Sequence, residues 1–285
     1  MKTNTVSPVK RLTADPEKLL ALTDSLNPSA PLLRLLNQAI SNPRVTIETI
    51  APLIRRDVVL SAKLMRTANA AFFKTSRTCD SIEQALHHVG LREVARLIAT
   101  ATMQGEAPSQ LCAYGITDER FQTSVRFAAT ASQLIACEVK LDPQVAYLSA
   151  LMRPLGVLVL NQWAERQGLP HGRHEGGASE SLLGWEQAHF GLNHVEVSSL
   201  VLRRWGFPSA ICDGIEKSIQ LFDLDGKPPL ALVLETAETL AESNRITLHT
   251  QRSGAGLCKN RLDALGLRPV QLLPISRSAL LHARN

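Results

Sequence analysis

The chain has 285 residues, of which 45% are hydrophobic and 20% charged, a composition that is ordinary for one large globular domain or two modest ones. Aromatic residues make up only 4%, a scarcity that favours helices packed through aliphatic side chains over a β-sandwich. No apolar run reaches the roughly 18 residues that span a bilayer, the polar N-terminus resembles no secretory signal, and the five cysteines form no C-x-x-C pair. We therefore expect a cytoplasmic protein with reduced thiols and no membrane segment.

The net charge of +5 is partly concentrated near the C-terminus. From Arg245 onward the chain carries seven lysines and arginines against one acid, Asp263. A basic tail of this kind can bind nucleic acid or an acidic protein. The simpler interpretation, which we prefer, is a solvated surface close to a chain end.

The first half of the chain predicts a series of helices. Thr46 is a plausible N-cap and Pro52 should confine its helix to about two turns. Asp80-x-x-Glu83 matches a capping box, and Gly90 should end the helix that follows. The expected helices are Ala30–Ile40, Ile47–Arg56, Val58–Ala71, Ser81–Val89 and Leu91–Met103.

The second half continues in the same way, without strand alternation or an internal repeat. Asp142-Pro143 provides an N-cap and a first-turn proline, and Asn193-x-x-Glu196 is a second capping box. Residues 168–179 are rich in glycine and form a long loop, either mobile or a lid. The expected helices are 118–139, 143–151, 157–167, 195–204, 209–219, 230–242, 262–267 and 269–280.

Residues 46–71 could form a helix-turn-helix that reads DNA. A recognition helix would present Ser61, Lys63 and Arg66 to a major groove, with Arg55 and Arg56 near the junction. However, the turn lacks the usual glycine and would contain two valines. An ordinary helix pair with a solvated basic face is the alternative, and we prefer it.

Catalytic and metal-binding patterns are weak. His171, His174, His189 and His194 fall in one stretch with Glu186 and Glu196, but no spacing guarantees the three convergent donors that a zinc or iron site needs. The chain has no G-x-S-x-G elbow, P-loop or G-x-G-x-x-G. We therefore predict no catalytic, cofactor-binding or metal-ligating residues, and no cofactor.

Three blocks in the N-terminal half follow one another in a distinctive order. They are Pro31–Leu36, Ile54–Phe73 (I-R-R-D-V-V-L-S-A-K-L-M-R-T-A-N-A-A-F-F) and Ser81–Leu91 (S-I-E-Q-A-L-H-H-V-G-L). In the second half, Glu186-x-x-x-Phe190-Gly191-x-x-His194 leads to Trp205-x-Phe207-Pro208. Together these motifs resemble the HDOD domain, the HD-related output domain of bacterial signalling proteins, over roughly Leu26 to Gln220.

The chain departs from this family where metals would bind. Many members keep His-Asp, the doublet of HD-type phosphohydrolases, where this chain has Arg153-Pro154, and a His-Ser pair where it has Thr123-Ser124. A third histidine position is replaced around Lys217-Ser218. A guanidinium cannot ligate a cation, and one imidazole with one carboxylate cannot hold a two-metal centre. The resemblance therefore implies a fold and a signalling role, without hydrolysis.

The resemblance implies an all-α protein of two packed helical bundles, the second HD-derived, with a small helical C-terminal extension. The expected domains are a lead (1–25), an HDOD-like domain (26–220) with an N-terminal bundle (26–105) and an HD-like bundle (117–220), and an extension with a basic end (221–285). We predict a non-enzymatic regulatory module of bacterial signal transduction that binds a partner protein, or a small ligand between the bundles. The alternatives are a residual metal-dependent phosphohydrolase of nucleotides and a nucleic-acid binder.

The candidate interaction residues are the polar side chains that these arguments single out. We predict that Trp205 is buried at the end of its helix. We also predict that Asn69 is buried and bonds backbone in the loop 74–80 or in the second bundle. The full set is Asn69, Arg153, Glu186, His194, Arg55, Arg56, Lys63 and Arg66.

Overall fold

The computed structural model describes residues 14–71, 78–105, 108, 110–168, 181–219, 229–248 and 259–284. The described residues are almost entirely helical, which confirms the all-α prediction. The first helices are α1 (Pro16–Leu22), a 3-10 turn (Thr23–Ser25), α2 (Ala30–Ile40), α3 (Ile47–Ile54), α4 (Val58–Ala71) and α5 (Ile82–Gln104). Gly90 interrupts α5 with a φ of 76°, so this element is two helices that meet at a kink, as its glycine predicted.

A short antiparallel ladder separates the two helical groups. Its strands are β1 (Gln110–Leu111) and β2 (Ile116–Thr117), with Gln110 opposite Thr117 and Leu111 opposite Ile116. The second group is α6 (Asp118–Glu138), α7 (Pro143–Met152), α8 (Leu155–Arg166), α9 (Leu182–Phe190), α10 (His194–Arg204) and α11 (Ser209–Lys217). The last helices are α12 (Pro229–Ser243), α13 (Lys259–Leu265) and α14 (Pro269–Arg284).

One hydrophobic core runs through both helical groups. This core contains side chains of both groups that are at most 1% exposed. They include Leu36, Ile50 and Leu64 of the first group and Leu155 and Val201 of the second. The two groups therefore fold as one packed body in the described residues. Helix α1 packs on α8 and α10, so the lead, for which the sequence predicted no structure, contributes to the second group.

The C-terminal helices form a second core with the long helix α6. Phe127 and Ile135 of α6 pack with Val233 of α12 and with Ile275 and Ala279 of α14, and these side chains are buried. The extension that the sequence predicted is thus a layer of the second bundle, covering α6. This layer matters for the candidate site because α12 supplies its acidic residues.

Asp57, which lies in the motif Ile54–Phe73, joins the start of α2 to the start of α4. It is 1% exposed, and its carboxylate accepts hydrogen bonds from the backbone N–H of Leu60 and of Ser29, both at 2.8 Å. The first bond caps α4 and the second holds the residue that precedes α2. Burial raises the pKa of this carboxyl to about 6, against the two hydrogen bonds, which lower it.

One predicted capping box is wrong, and one predicted N-cap has the right position but makes no side-chain bond. Asp80 and Glu83 form no capping box, because Ser81, one residue later, is the N-cap and accepts from the N–H of Gln84. Thr46 stands at the N-cap of α3, but its side chain makes no capping bond. The N-cap predicted at Asp142 and the capping box predicted at Asn193 are confirmed, and each side chain accepts from two backbone N–H groups. The ladder was also not foreseen.

The stretch Pro143–Arg166, which contains α7 and α8, is long and apolar enough to cross a membrane by length and composition. Within its most apolar window, 72% of the residues are buried inside the protein. Burial of this kind is typical of a core helix, and the break at Pro154 divides the stretch into two helices.

Candidate functional site

Arg153, at the position where the resemblance predicts a His-Asp doublet, is held by side chains from two other helices. Its Nε donates to Ser218 Oγ at 3.1 Å, and its Nη1 donates to Glu238 Oε2 of α12 at 3.2 Å. Only 12% of the Arg153 side chain is exposed. Pro154 is buried and stands at the N-cap of α8. The cationic group at this position is therefore part of an internal ion pair.

A second arginine–glutamate pair lies beside the first. Arg261 of α13 is 5% exposed and donates to Thr239 Oγ1 at 2.9 Å and to Glu235 Oε1. The two pairs border a cavity of about 140 Å³ that Ser218 and His194 also line. Arg261 is one of the seven basic residues near the C-terminus. Because it is buried, it is not part of a solvated basic surface.

Glu186 and His194 meet in a buried hydrogen-bonded network. Glu186 is completely buried, and its Oε2 accepts from both the backbone N–H and the ring Nδ1–H of His194, each at 2.8 Å. Its Oε1 accepts from the hydroxyl of Tyr114, also at 2.8 Å. Burial, followed by the negative charge of Glu186, raises the pKa of Tyr114 well above its ordinary value. The phenol therefore stays protonated and donates its hydrogen bond. Nε2 of His194 is buried without a partner among the described residues.

The other members of the histidine cluster do not join this network. His189 packs its ring on Trp185, with centroids 4.7 Å apart, and its Nδ1–H donates to the Trp185 carbonyl. Glu196 closes the capping box of α10 by accepting from the N–H of Asn193. His171 and His174 lie outside the described residues. Across the described residues, no three His, Cys, Asp or Glu side chains are placed to share a metal ion.

The residues of α4 that were predicted to contact DNA make contacts within the protein. Ser61 is completely buried and donates to the carbonyl of Ile54, so it cannot reach a base. Lys63 donates to Gln104, and burial lowers its pKa. Arg66 pairs with Asp24 and lies 5.3 Å from the ring of Trp205. The burial of Ser61 does not support the interpretation of α4 as a recognition helix.

Arg55 and Arg56 face the second bundle. The Arg55 guanidinium lies 3.9 Å from the centroid of the Tyr147 ring, donates to Gln144 at 2.9 Å and pairs with Glu83. Arg56 is half-buried beside it and lines the cleft between the bundles. These two arginines are thus placed at the junction of α3 with α6 and α7.

Asn69 and Trp205 are both buried, as predicted. Asn69 is 3% exposed, and its Oδ1 accepts from the N–H of Cys79 at 2.8 Å, within the loop predicted from the sequence. Trp205 is 8% exposed at the C-terminus of α10. A Cβ at Gly206 would lie 3.9 Å from the Asn69 side chain, so these residues meet where α4 packs on the α10–α11 corner.

The pattern of the motifs and the two-bundle fold agree with one family. The HDOD domain model matches residues 26–221. The chain belongs to the HDOD family. A curated protein of Treponema pallidum, described only as uncharacterized, is 24% identical over 198 residues, 63% of this chain and 35% of that protein. The chain therefore spans about a third of the length of that relative.

Two solved structures share the fold of this HDOD protein over most of both chains. The MmoQ response regulator from Methylococcus capsulatus superposes with a TM-score of 0.70 at 23% identity, covering 89% of this chain and 98% of that one. A virulence factor from Campylobacter jejuni gives a TM-score of 0.71 at 17% identity, covering 93% and 96%. Both matches extend beyond the HDOD boundaries, so the C-terminal helices belong to the shared architecture.

The residues present do not fit the metals of HD-type hydrolases. At the positions where the resemblance places the ligands stand Thr123, Arg153, Pro154 and Ser218, which offer hydroxyls and a guanidinium instead of imidazoles and carboxylates. The Arg153 guanidinium is itself a cation and already neutralises Glu238. A divalent ion at this place would have to overcome repulsion by a buried positive charge.

Proposed function

We propose that this HDOD protein is a non-enzymatic regulatory module of bacterial signal transduction that acts by binding a partner. The observation that carries the proposal is the Arg153–Glu238 ion pair with Ser218 at the position of the doublet. A site built for hydrolysis keeps open coordination positions for substrate and water. Here the equivalent position is occupied by an internal pair. The response-regulator name of the similar protein from Methylococcus supports the signalling role.

The expected partner is a protein of a cytoplasmic signalling pathway. Several arginines that would serve a nucleic-acid surface are engaged inside the protein, Arg55 with Glu83 and Arg261 with Glu235. Nucleic acid binding is therefore the weaker alternative. It would reveal itself as affinity for any duplex that falls steeply with added salt.

A hydrolysis assay tests the proposal against the enzymatic alternative. Purified protein, supplied with Mg²⁺ or Mn²⁺, is incubated with nucleotides and cyclic dinucleotides, and products are separated by chromatography. We expect no turnover, and the same result for Glu238→Gln, which breaks the ion pair without adding a ligand. Turnover by the wild-type chain that disappears on chelation would refute the proposal.

Affinity capture then tests whether the chain binds a partner protein. The full chain is immobilised, and bound proteins are identified from lysate of the source bacterium, with heat-denatured chain as the control. A protein retained by the folded chain alone, and shown to bind as a purified component, is the expected result. Retention of nucleic acid instead would favour the alternative.

A further inference from the structure

Helix α14 has apolar side chains on two opposite faces. Its inner face packs into the core that it shares with α6, through Leu272, Ile275, Ala279 and Ala283, which are all buried. A helix on the surface of a protein normally carries its apolar residues on this inner face, with polar residues on the other. Packing within the described part of the chain does not account for the apolar residues of the outer face.

The outer face of α14 presents three large apolar side chains to solvent. Val270, Leu273 and Leu281 are 62%, 63% and 68% exposed, and they are three of the five large hydrophobic side chains that are exposed among the described residues. Pro274 and Arg277, both exposed, lie on the same face because spacings of three or four residues follow one side of a helix. We call these five residues the outer stripe. Single apolar residues on a surface are ordinary, whereas an apolar patch marks an interaction site.

The charged side chains along the outer stripe are positive. Arg277 lies within it, Arg284 lies in the last turn of α14, and Arg268 directly precedes the helix. All three are exposed, and none forms an ion pair with another described residue. The helix contains no aspartate or glutamate, and the neighbouring Glu138 of α6 is bonded by Gln271 at 2.8 Å. These arginines are therefore available to an acidic partner.

A second copy of the chain does not suit this surface. A two-fold contact brings the same patch of both molecules together. An antiparallel pair of α14 helices would place the Arg268 end of each copy at the Arg284 end of the other. A parallel pair would place the two copies of Arg277 side by side. Both arrangements bring like charges together, which is unfavourable at an interface.

A lipid surface also suits the outer stripe less well than a protein does. Helices that lie in a membrane interface carry Trp, Phe or Leu on the apolar face and basic residues on the polar face. In α14 the order is different, because Arg277 stands within the apolar stripe, between Leu273 and Leu281, and the helix has no aromatic residue. A carboxylate of a protein partner can pair with an arginine in that position. The pattern therefore favours a protein.

We propose that the outer stripe of α14 docks an amphipathic helix of a partner protein, and that this helix carries both apolar residues and carboxylates. Its apolar residues, spaced by three or four positions, pack against Val270, Leu273 and Leu281. Its carboxylates pair with Arg277 and with the arginines at the two ends of α14. This inference rests on the proposed function, and it names where the partner binds and what chemistry the partner has.

Site-specific photo-cross-linking in cells of the source bacterium tests the location and the partner together. The full chain carries p-benzoylphenylalanine in place of Pro274, or in place of Arg92, an exposed residue of α5 that serves as the control position. Mass spectrometry then identifies what is cross-linked at each position. We expect position 274, and not position 92, to yield a segment of another protein that has helical spacing of apolar residues and a net negative charge.

Binding of the purified partner then measures the contribution of the outer stripe. Leu281→Ser removes an apolar anchor and Arg277→Glu reverses a charge, and each should raise Kd at least about tenfold. Met103→Ser and Arg92→Glu make similar changes at exposed positions of α5, so they are the matched controls and should leave Kd unchanged. Circular dichroism confirms that each variant is folded.

Several results would overturn the inference. One is that position 274 gives no specific cross-link, or gives cross-links only to lipid, to nucleic acid or to a second copy of the chain. Another is a cross-linked segment without apolar helical spacing or acidic residues, and a third is an equal effect of Arg277→Glu and Arg92→Glu on Kd. A partner that binds the Leu281→Ser variant unchanged would leave the proposed function standing, whereas the absence of any protein partner would refute both.

Discussion

Asn69 makes a hydrogen bond to the backbone of the loop 74–80, as the sequence predicted. Its Oδ1 accepts from Cys79 N–H, while its Nδ2 has no partner among the described residues. Asn69→Leu keeps the volume but leaves the Cys79 N–H without its acceptor, and should lower the free energy of unfolding by about 1–3 kcal/mol. Urea denaturation measures this change. Unchanged stability together with lost partner binding would show that Asn69 is a contact residue instead.

Other side-chain placements could not be derived from the sequence. The pairing of Glu186 with His194 joins residues eight positions apart, but Tyr114 is 72 positions from Glu186 and lies in a turn with no distinctive pattern. The partner of Arg153 is Glu238, 85 positions away on a helix outside the family motifs. Contacts of this range depend on how the helices pack, which local periodicity does not specify.

At the scale of the elements, Trp205 joins α10 to the first bundle. It ends α10, and the Arg66 guanidinium of α4 lies 5.3 Å from its ring centroid. Trp205→Ala should cost about 3–5 kcal/mol of stability, because it removes a large buried ring at this junction. Thermal unfolding followed by circular dichroism tests the change. A melting temperature within about one or two degrees of wild type would contradict the assigned packing.

Asp57 links α2 to α4 and makes their packing depend on pH. Its folded-state pKa of about 6 lies above the value of 3.8 for a free side chain, so its stabilising contribution is complete below pH 3.8. That contribution is lost as the pH rises through about 6, a change of up to about 3 kcal/mol. Denaturation of wild type and Asp57→Asn from pH 4 to 7 should show this fall in the wild type only. Parallel curves would contradict it.

Most helices could be predicted from the sequence, and the errors have local causes. N-caps such as Asp142 and Asn193 mark helix starts because their side chains accept hydrogen bonds from the free N–H groups of the first turn. At Asp80 two adjacent polar residues compete, and Ser81 is the one that caps. The strands are two residues long, too short for an alternating pattern to appear.

At the scale of the whole molecule, the HDOD domain and the C-terminal helices form one architecture. The extension covers α6, and its helix α12 supplies the glutamates that pair with Arg153 and Arg261. The resemblance implies that the metal ligands are lost, but the sequence does not indicate which contacts Arg153 makes. Arg153 forms an ion pair with Glu238, a residue outside the motifs, and this is why we infer a role in binding.

Elemental analysis of the purified protein tests this inference most directly. The chain is prepared without chelator in medium that contains manganese, iron and zinc, and metal per chain is measured by mass spectrometry. We predict no stoichiometric divalent metal, because Arg153 and Pro154 provide no ligand and the described residues gather no cluster of three donors. About one or more metal ions per chain, removed by chelation together with a hydrolytic activity, would contradict the prediction.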